Sequence, residues 1–196
     1  MTTTACPTRE EALALLHEWI ENPALRKHCY CVEAAMRAHA ARAGEDVERW
    51  GVTGLIHDFD WERHPDLERH PAAGVAVLRE KGWPEDICTA VLGHGTHTGV
   101  ARESLMAKTL FAVDELSGFV TACALVRPTG IEGMKVKSVR KKLKTPAFAA
   151  KVDRGQIERA IAELEVDEGE HIQRVIDALA GEAEALGISA EQVSGD

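Results

Sequence analysis

The chain has 196 residues, of which 45% are hydrophobic and 28% charged, a balance that excludes wholesale disorder and suits one globular domain. Aromatics are only 5%, and the Ala-, Leu-, Glu- and Val-rich remainder favours helices over strands. The net charge of −9 sits at one end: residues 155–196 hold 11 acids and 2 bases, and the rest is balanced, so overall charge gives no support for the basic face that a nucleic-acid partner requires, and such a partner is not expected.

In chain order the sequence reads as helix after helix. Thr8 with Glu11 has capping-box spacing, and Ala12, Leu15, Leu16 and Trp19 follow with helical period. Asn22-Pro23 opens a second helix that runs to about Ala43 and stops at Gly44. Asp46 caps a third, which reaches His57-Asp58, and residues 59–69 form a polar, irregular connection. His70-Pro71 starts a helix ending at Gly82, and Trp83-Pro84 starts another ending near Gly93. Residues 103–123 are a long apolar run without a breaker before Gly118. Pro128, Gly130 and Gly133 mark a loop over 127–135, and amphipathic helices near 154–164 and 168–186 finish the fold. The pattern predicts an all-α, single-domain helical bundle over residues 1–187, with 188–196 a frayed tail.

No apolar run of about 18 residues is present, so no transmembrane helix is expected. The N-terminus has neither a charged n-region nor an apolar stretch after it, which predicts no secretory signal. Cys6, Cys29, Cys31, Cys88 and Cys123 are odd in number and contain no C-x-x-C pair. Reduced thiols in a cytoplasmic protein are the expectation, with Cys29 and Cys31 read as small buried residues.

Histidine and aspartate placement carries the chemistry. His57-Asp58 ends a helix, where adjacent side chains can aim at one point if the chain turns away; imidazole and carboxylate together suit divalent Fe, Mn, Zn or similar ions. Asp114 lies among Leu110, Phe111, Ala112, Val113 and Leu116. A carboxylate buried there needs a cation, a donor or a metal; the alternative is an exposed stripe shared with Lys108 and Glu115. His28 heads a helix side continued by Val32, Ala35, Met36 and His39, a position equally open to a core histidine.

The order His28, His57-Asp58, Asp114 resembles the H…HD…D pattern of the HD-domain superfamily of metal-dependent phosphohydrolases. The segments LIHDFDWE, HPAAGVAVLREKGWPEDICTAVLGHG and LFAVDELSGFVTACALVRP are similar to an HDIG-type subgroup of predicted hydrolases, over about residues 12–180. The resemblance implies that His28, His57, Asp58 and Asp114 converge on one divalent ion (Fe, Mn, Mg, Zn or similar). His70 before one helix and His94 after the next match the added histidines of two-metal members, and would hold a second ion. The adjacent His-His pair and the GYP signature of cyclic-dinucleotide phosphodiesterases are absent; the local sequence is His94-Gly95-Thr96-His97.

The activity so implied is hydrolysis of a phosphomonoester or nucleotide phosphate by a water that the ion activates. Asp58 and His57 are the expected catalytic groups and Arg127 the expected substrate contact. The run from Lys135 to Lys144 holds six bases and no acid, and either steers an anionic substrate or forms a solvated helix face. His64 is a candidate for supporting the ligands from behind, while His17, His39 and His171 read as structural. The alternative from another class is a non-catalytic regulatory module that binds a metal or nucleotide on the same fold.

Overall fold

The computed structural model describes residues 6–194; among them no strand occurs. The chain divides into two compact units, Met1–Phe111 and Ala112–Asp196, where one domain was expected. The division falls inside a single unbroken helix.

In the first unit, helix α1 (Arg9–Trp19) starts with the expected capping box: Thr8 Oγ1 accepts from Glu11 N, and Glu11 Oε2 accepts from Thr8 N. Helix α2 (Pro23–Ala43) is capped by Asn22, whose side chain accepts from Ala24 N and Leu25 N, and ends at Gly44 with φ 73°. That left-handed conformation suits glycine because no Cβ opposes it. Helix α3 (Val47–Ile56) is capped by Asp46 and carries Trp50, Val52, Leu55 and Ile56 into the core.

Helices α2 and α3 approach closely, and Gly54 is the point of contact. A Cβ on Gly54 would lie 2.9 Å from Met36 Cγ, 3.0 Å from the Val32 carbonyl and 3.1 Å from Glu33 Cα. Glu33, buried at this seam, accepts from Arg9 and from Arg37, and Arg37 also donates to Glu48, so one carboxylate ties α1 to α2 while its partner ties α2 to α3. Gly54→Ala is expected to cost about 1–3 kcal/mol by overpacking, a fall in Tm of roughly 2–4 °C per kcal/mol for a chain of this size. A thermal melt followed by circular dichroism checks it.

Beyond α3 the chain makes tight turns, with Trp61 N–H donating to Asp58 O and His64 N–H to Asp60 O. Helix α4 (Ala72–Glu80) begins two residues later than the sequence suggests, with Pro71 in the cap position and no side chain capping it. Helix α5 (Glu85–His94) and a short 3-10 turn (Thr96–Thr98) follow. Helix α6 (Leu105–Leu125) begins in this unit, where Met106 Sδ receives the Thr53 hydroxyl at 3.4 Å, and continues into the second.

The second unit contains α7 (Val136–Leu143), α8 (Arg154–Leu164), α9 (Glu168–Gly181), α10 (Ala183–Leu186) and α11 (Ala190–Val193). The predicted helix over 168–186 is broken at Glu182, and the basic run is the helix α7, which buries Val139 and is seated on α9 through the Arg140–Glu168 ion pair. The expected frayed tail is a correction: Ile188 is fully buried, its carbonyl accepts from Ile131 N, Ser189 and Gln192 form a capping box, and Ser194 Oγ donates to Pro128 O. Ile188 supplies the apolar anchor that holds it. Residues 195–196 of that tail lie outside the described residues.

Candidate metal centre

The site is built from the ends of helices and the turns between them. His28 stands in the second turn of α2. His57 closes α3, and its Nδ1 donates 2.8 Å to the carbonyl of Gly54, one turn back on the same helix. His94 ends α5 in the same way, with Nδ1 donating 2.5 Å to Val91 O. His70, ahead of α4, sends Nδ1 to Asp60 Oδ1 at 2.8 Å. A carbonyl or carboxylate can only accept, so all three rings carry their proton on Nδ1 and, when neutral, present a lone pair at Nε2.

Those lone pairs, together with the Nε2 of His28, converge on Asp58. Its Oδ2 faces His28 Nε2 at 3.8 Å and His57 Nε2 at 3.6 Å. Its Oδ1 faces His70 Nε2 at 3.4 Å and His94 Nε2 at 3.2 Å. The histidines also meet in pairs, His28 Nε2 to His57 Nε2 at 3.2 Å and His70 Nε2 to His94 Nε2 at 3.2 Å. Lone pairs of nitrogen and carboxylate oxygen held this close repel one another unless a cation lies among them. The spacing fits one: N and O ligands sit about 2.0–2.1 Å from zinc-like ions, which puts neighbouring ligand atoms roughly 3.0–3.4 Å apart. The donor set therefore suits a divalent metal, and Asp58 offers one oxygen to each histidine pair. The ligand atoms of Asp58, His70 and His94 lie within 4.8 Å of one another.

His57 is fully buried and His70 and His94 nearly so, while the side chains of His28 and Asp58 are 24% and 17% exposed. The cluster thus opens to solvent on the side of His28 and Asp58. Behind it, Asp60 is fully buried and accepts from both His70 Nδ1 and Gly74 N–H, the latter at 2.9 Å. Trp61 packs edge-to-face on the His70 ring at 4.7 Å, and His97 Nε2 donates 2.8 Å to the His70 carbonyl. His70 is therefore turned inward and does not cap a helix.

Residues 25–118 match the family model described as the HD domain. The protein carries an HD domain. HD domains bind divalent metals and are for the most part metal-dependent phosphohydrolases. The matched segment contains His28, His57-Asp58, His70, His94 and Asp114. No curated protein and no solved structure matches the chain. No helix of the described residues is long and apolar enough to cross a membrane.

The other predicted residues are placed as follows. Asp114 stands on α6, one turn beyond Leu110 on the same unbroken helix. Arg127 lies in the loop after α6, where its guanidinium donates to Gly130 O, Thr129 Oγ1 and Glu132 O. His64 packs near Trp19, with ring centroids 6.3 Å apart. His17 pairs with the Tyr30 hydroxyl. His171 is buried against Ala112 O, and burial pulls its imidazole below the usual range. Cys29 and Cys31 are buried, as expected for small apolar residues. Sequence reasoning missed Asp60, which it placed in an irregular connection; the one signal was a second aspartate two residues after His57-Asp58 in HDFD.

Proposed function

We propose that the protein is a phosphohydrolase that uses water to cleave a phosphomonoester or nucleotide phosphate bond, with divalent metal held by His28, His57, Asp58 and Asp114 and a second ion by His70, His94 and Asp58. The observation that carries the reading is the meeting of four imidazole Nε2 atoms around the two oxygens of one carboxylate. Bound there, a divalent ion supplies an activated water and a polarised phosphoryl oxygen. Asp58, whose side chain is 17% exposed, would ligate and, as a bridging carboxylate, orient the water. His57, fully buried and anchored on Gly54 O, keeps its geometry fixed as charge develops, as preorganised catalysis requires.

Asp114 enters this set on the order of residues in the sequence and on the apolar helix that carries it. The HDIG-type subgroup and a cytoplasmic location belong to the same reading. Arg127 is the proposed phosphate contact. Three of its five N–H donors are engaged in its own loop, and those on Nη1 remain for a ligand among the described residues. Arg127→Ala is expected to raise KM about tenfold and to lower Tm by a few degrees through the loop; steady-state kinetics and a melt separate the two effects.

The test is turnover. A panel of phosphomonoesters, nucleotides and phosphodiesters is assayed with Mn, Fe, Co, Ni and Mg, alongside Asp58→Ala. Metal-dependent release of phosphate or nucleoside that Asp58→Ala lacks is the expected result. Metal binding without turnover on any class would favour a regulatory binding module.

A further inference from the structure

The three anchored histidines are not anchored alike. His57 and His94 each donate Nδ1 to a main-chain carbonyl three residues back, so their own helices hold them. His70 precedes its helix in a turn closed by its own N–H to Asp66 O, and its ring does not reach back to a carbonyl of that turn. Its Nδ1 goes to Asp60, which is fully buried and touches no ligand position itself. A carboxylate with no exposure costs several kcal/mol unless hydrogen bonds and a positive charge compensate it. Two donors are in place, from His70 Nδ1 and Gly74 N. The position is also sterically reserved: a Cβ on Gly74 would fall 2.7 Å from Asp60 Cγ.

We propose that Asp60 is the positioning residue of the second metal pair. It fixes His70 with the proton on Nδ1, aims Nε2 at Asp58 and His94, and makes that nitrogen a stronger donor. Occupancy of the His70–His94 pair therefore depends on Asp60, whereas the His28–His57 pair does not. Outer partners of this type typically change metal affinity 10- to 100-fold. The proposal rests on the metal-site reading above, and its first readout is independent of it.

The variant is Asp60→Asn, which keeps the shape. An aspartate can accept from both His70 Nδ1–H and Gly74 N–H; an asparagine can accept through one atom only and sets an amide N–H against the other donor. The first readout is the 15N spectrum of the His70 ring in metal-free protein, taken well above the usual histidine range. Wild type is expected to show the Nδ1–H tautomer and Asp60→Asn to lose it. The second is Mn binding by titration calorimetry: the variant is expected to keep one ion at wild-type affinity and to bind the other 10- to 100-fold more weakly. If Asp60→Asn does not fold, Gly74→Ala, which crowds Asp60 and alters no ligand residue, is expected to give the same selective loss.

An unchanged tautomer with two ions bound at wild-type affinity would overturn the proposal. An equal loss of both ions would also overturn it, since that marks general destabilisation. Wild-type protein that binds no Mn would defeat the metal-site reading, and with it the metal part of this proposal; the tautomer comparison would still decide whether Asp60 positions His70.

Discussion

Asp58→Ala is expected to abolish hydrolysis, with kcat/KM falling on the order of 10³-fold or more, a loss of about 4 kcal/mol of transition-state stabilisation. Asp58 faces both histidine pairs, with Oδ2 toward His28 and His57 and Oδ1 toward His70 and His94. Asp58→Asn keeps one oxygen, so it supports at most one ion at wild-type affinity. The metal-free state should respond in the opposite sense. Without a cation the carboxylate and the imidazole lone pairs repel, and removing the carboxylate relieves that strain. Metal-free Asp58→Ala is therefore expected to melt at or above metal-free wild type, while losing the gain in Tm that added Mn gives. Stability sacrificed at a site for the sake of its ligand is the general pattern. A variant that lost activity, melted well below metal-free wild type and still bound two ions would count against Asp58 as the shared ligand.

Chelation of the wild-type protein is expected to lower Tm by roughly 5–10 °C, and Mn in excess to restore it. An ion present at about 100 times its Kd stabilises the folded state by about 2.7 kcal/mol, and a chain of this length gains about 2–4 °C per kcal/mol. The loss should be selective by region, because the ligands of the first unit stand in the second turn of α2, at the ends of α3 and α5 and in the turn before α4. Hydrogen exchange should rise over residues 54–60 and 70–74 on chelation and return with Mn. Exchange that is unchanged there, with a constant Tm, would show that no ion is held by these side chains.

Much of this site was legible in the sequence because the signals are local. The capping box at Thr8, Asn22 before Pro23, Gly44 and Asp46 mark helix ends through single residues with one physical role each. His57-Asp58, His70 and His94 fall at such ends, so locating the ends located the candidate ligands. The resemblance to HD-domain proteins then related residues far apart in the chain, and the match over 25–118 bears it out. What the sequence did not disclose depends on long-range contacts. Asp60 reads as a polar residue of an irregular connection, and only the fold brings it to His70 and Gly74. Gly54 reads as a small residue, and its close approach to Val32 and Glu33 appears only once α2 and α3 are packed. The tail read as frayed from its terminal position, while buried Ile188 and its hydrogen bond from Ile131 fasten it. The break at Glu182 has no proline or glycine at that residue to announce it, although Gly181 stands just before.

The count of metal ions per chain tests the account most directly. Protein freed of metal, saturated with Mn and separated from unbound ion by gel filtration, is analysed by atomic emission. Wild type is predicted to carry two ions per chain, His94→Ala one, and Asp58→Ala neither. Wild-type protein that carries no Mn, or one ion that His94→Ala leaves in place at equal affinity, would contradict it.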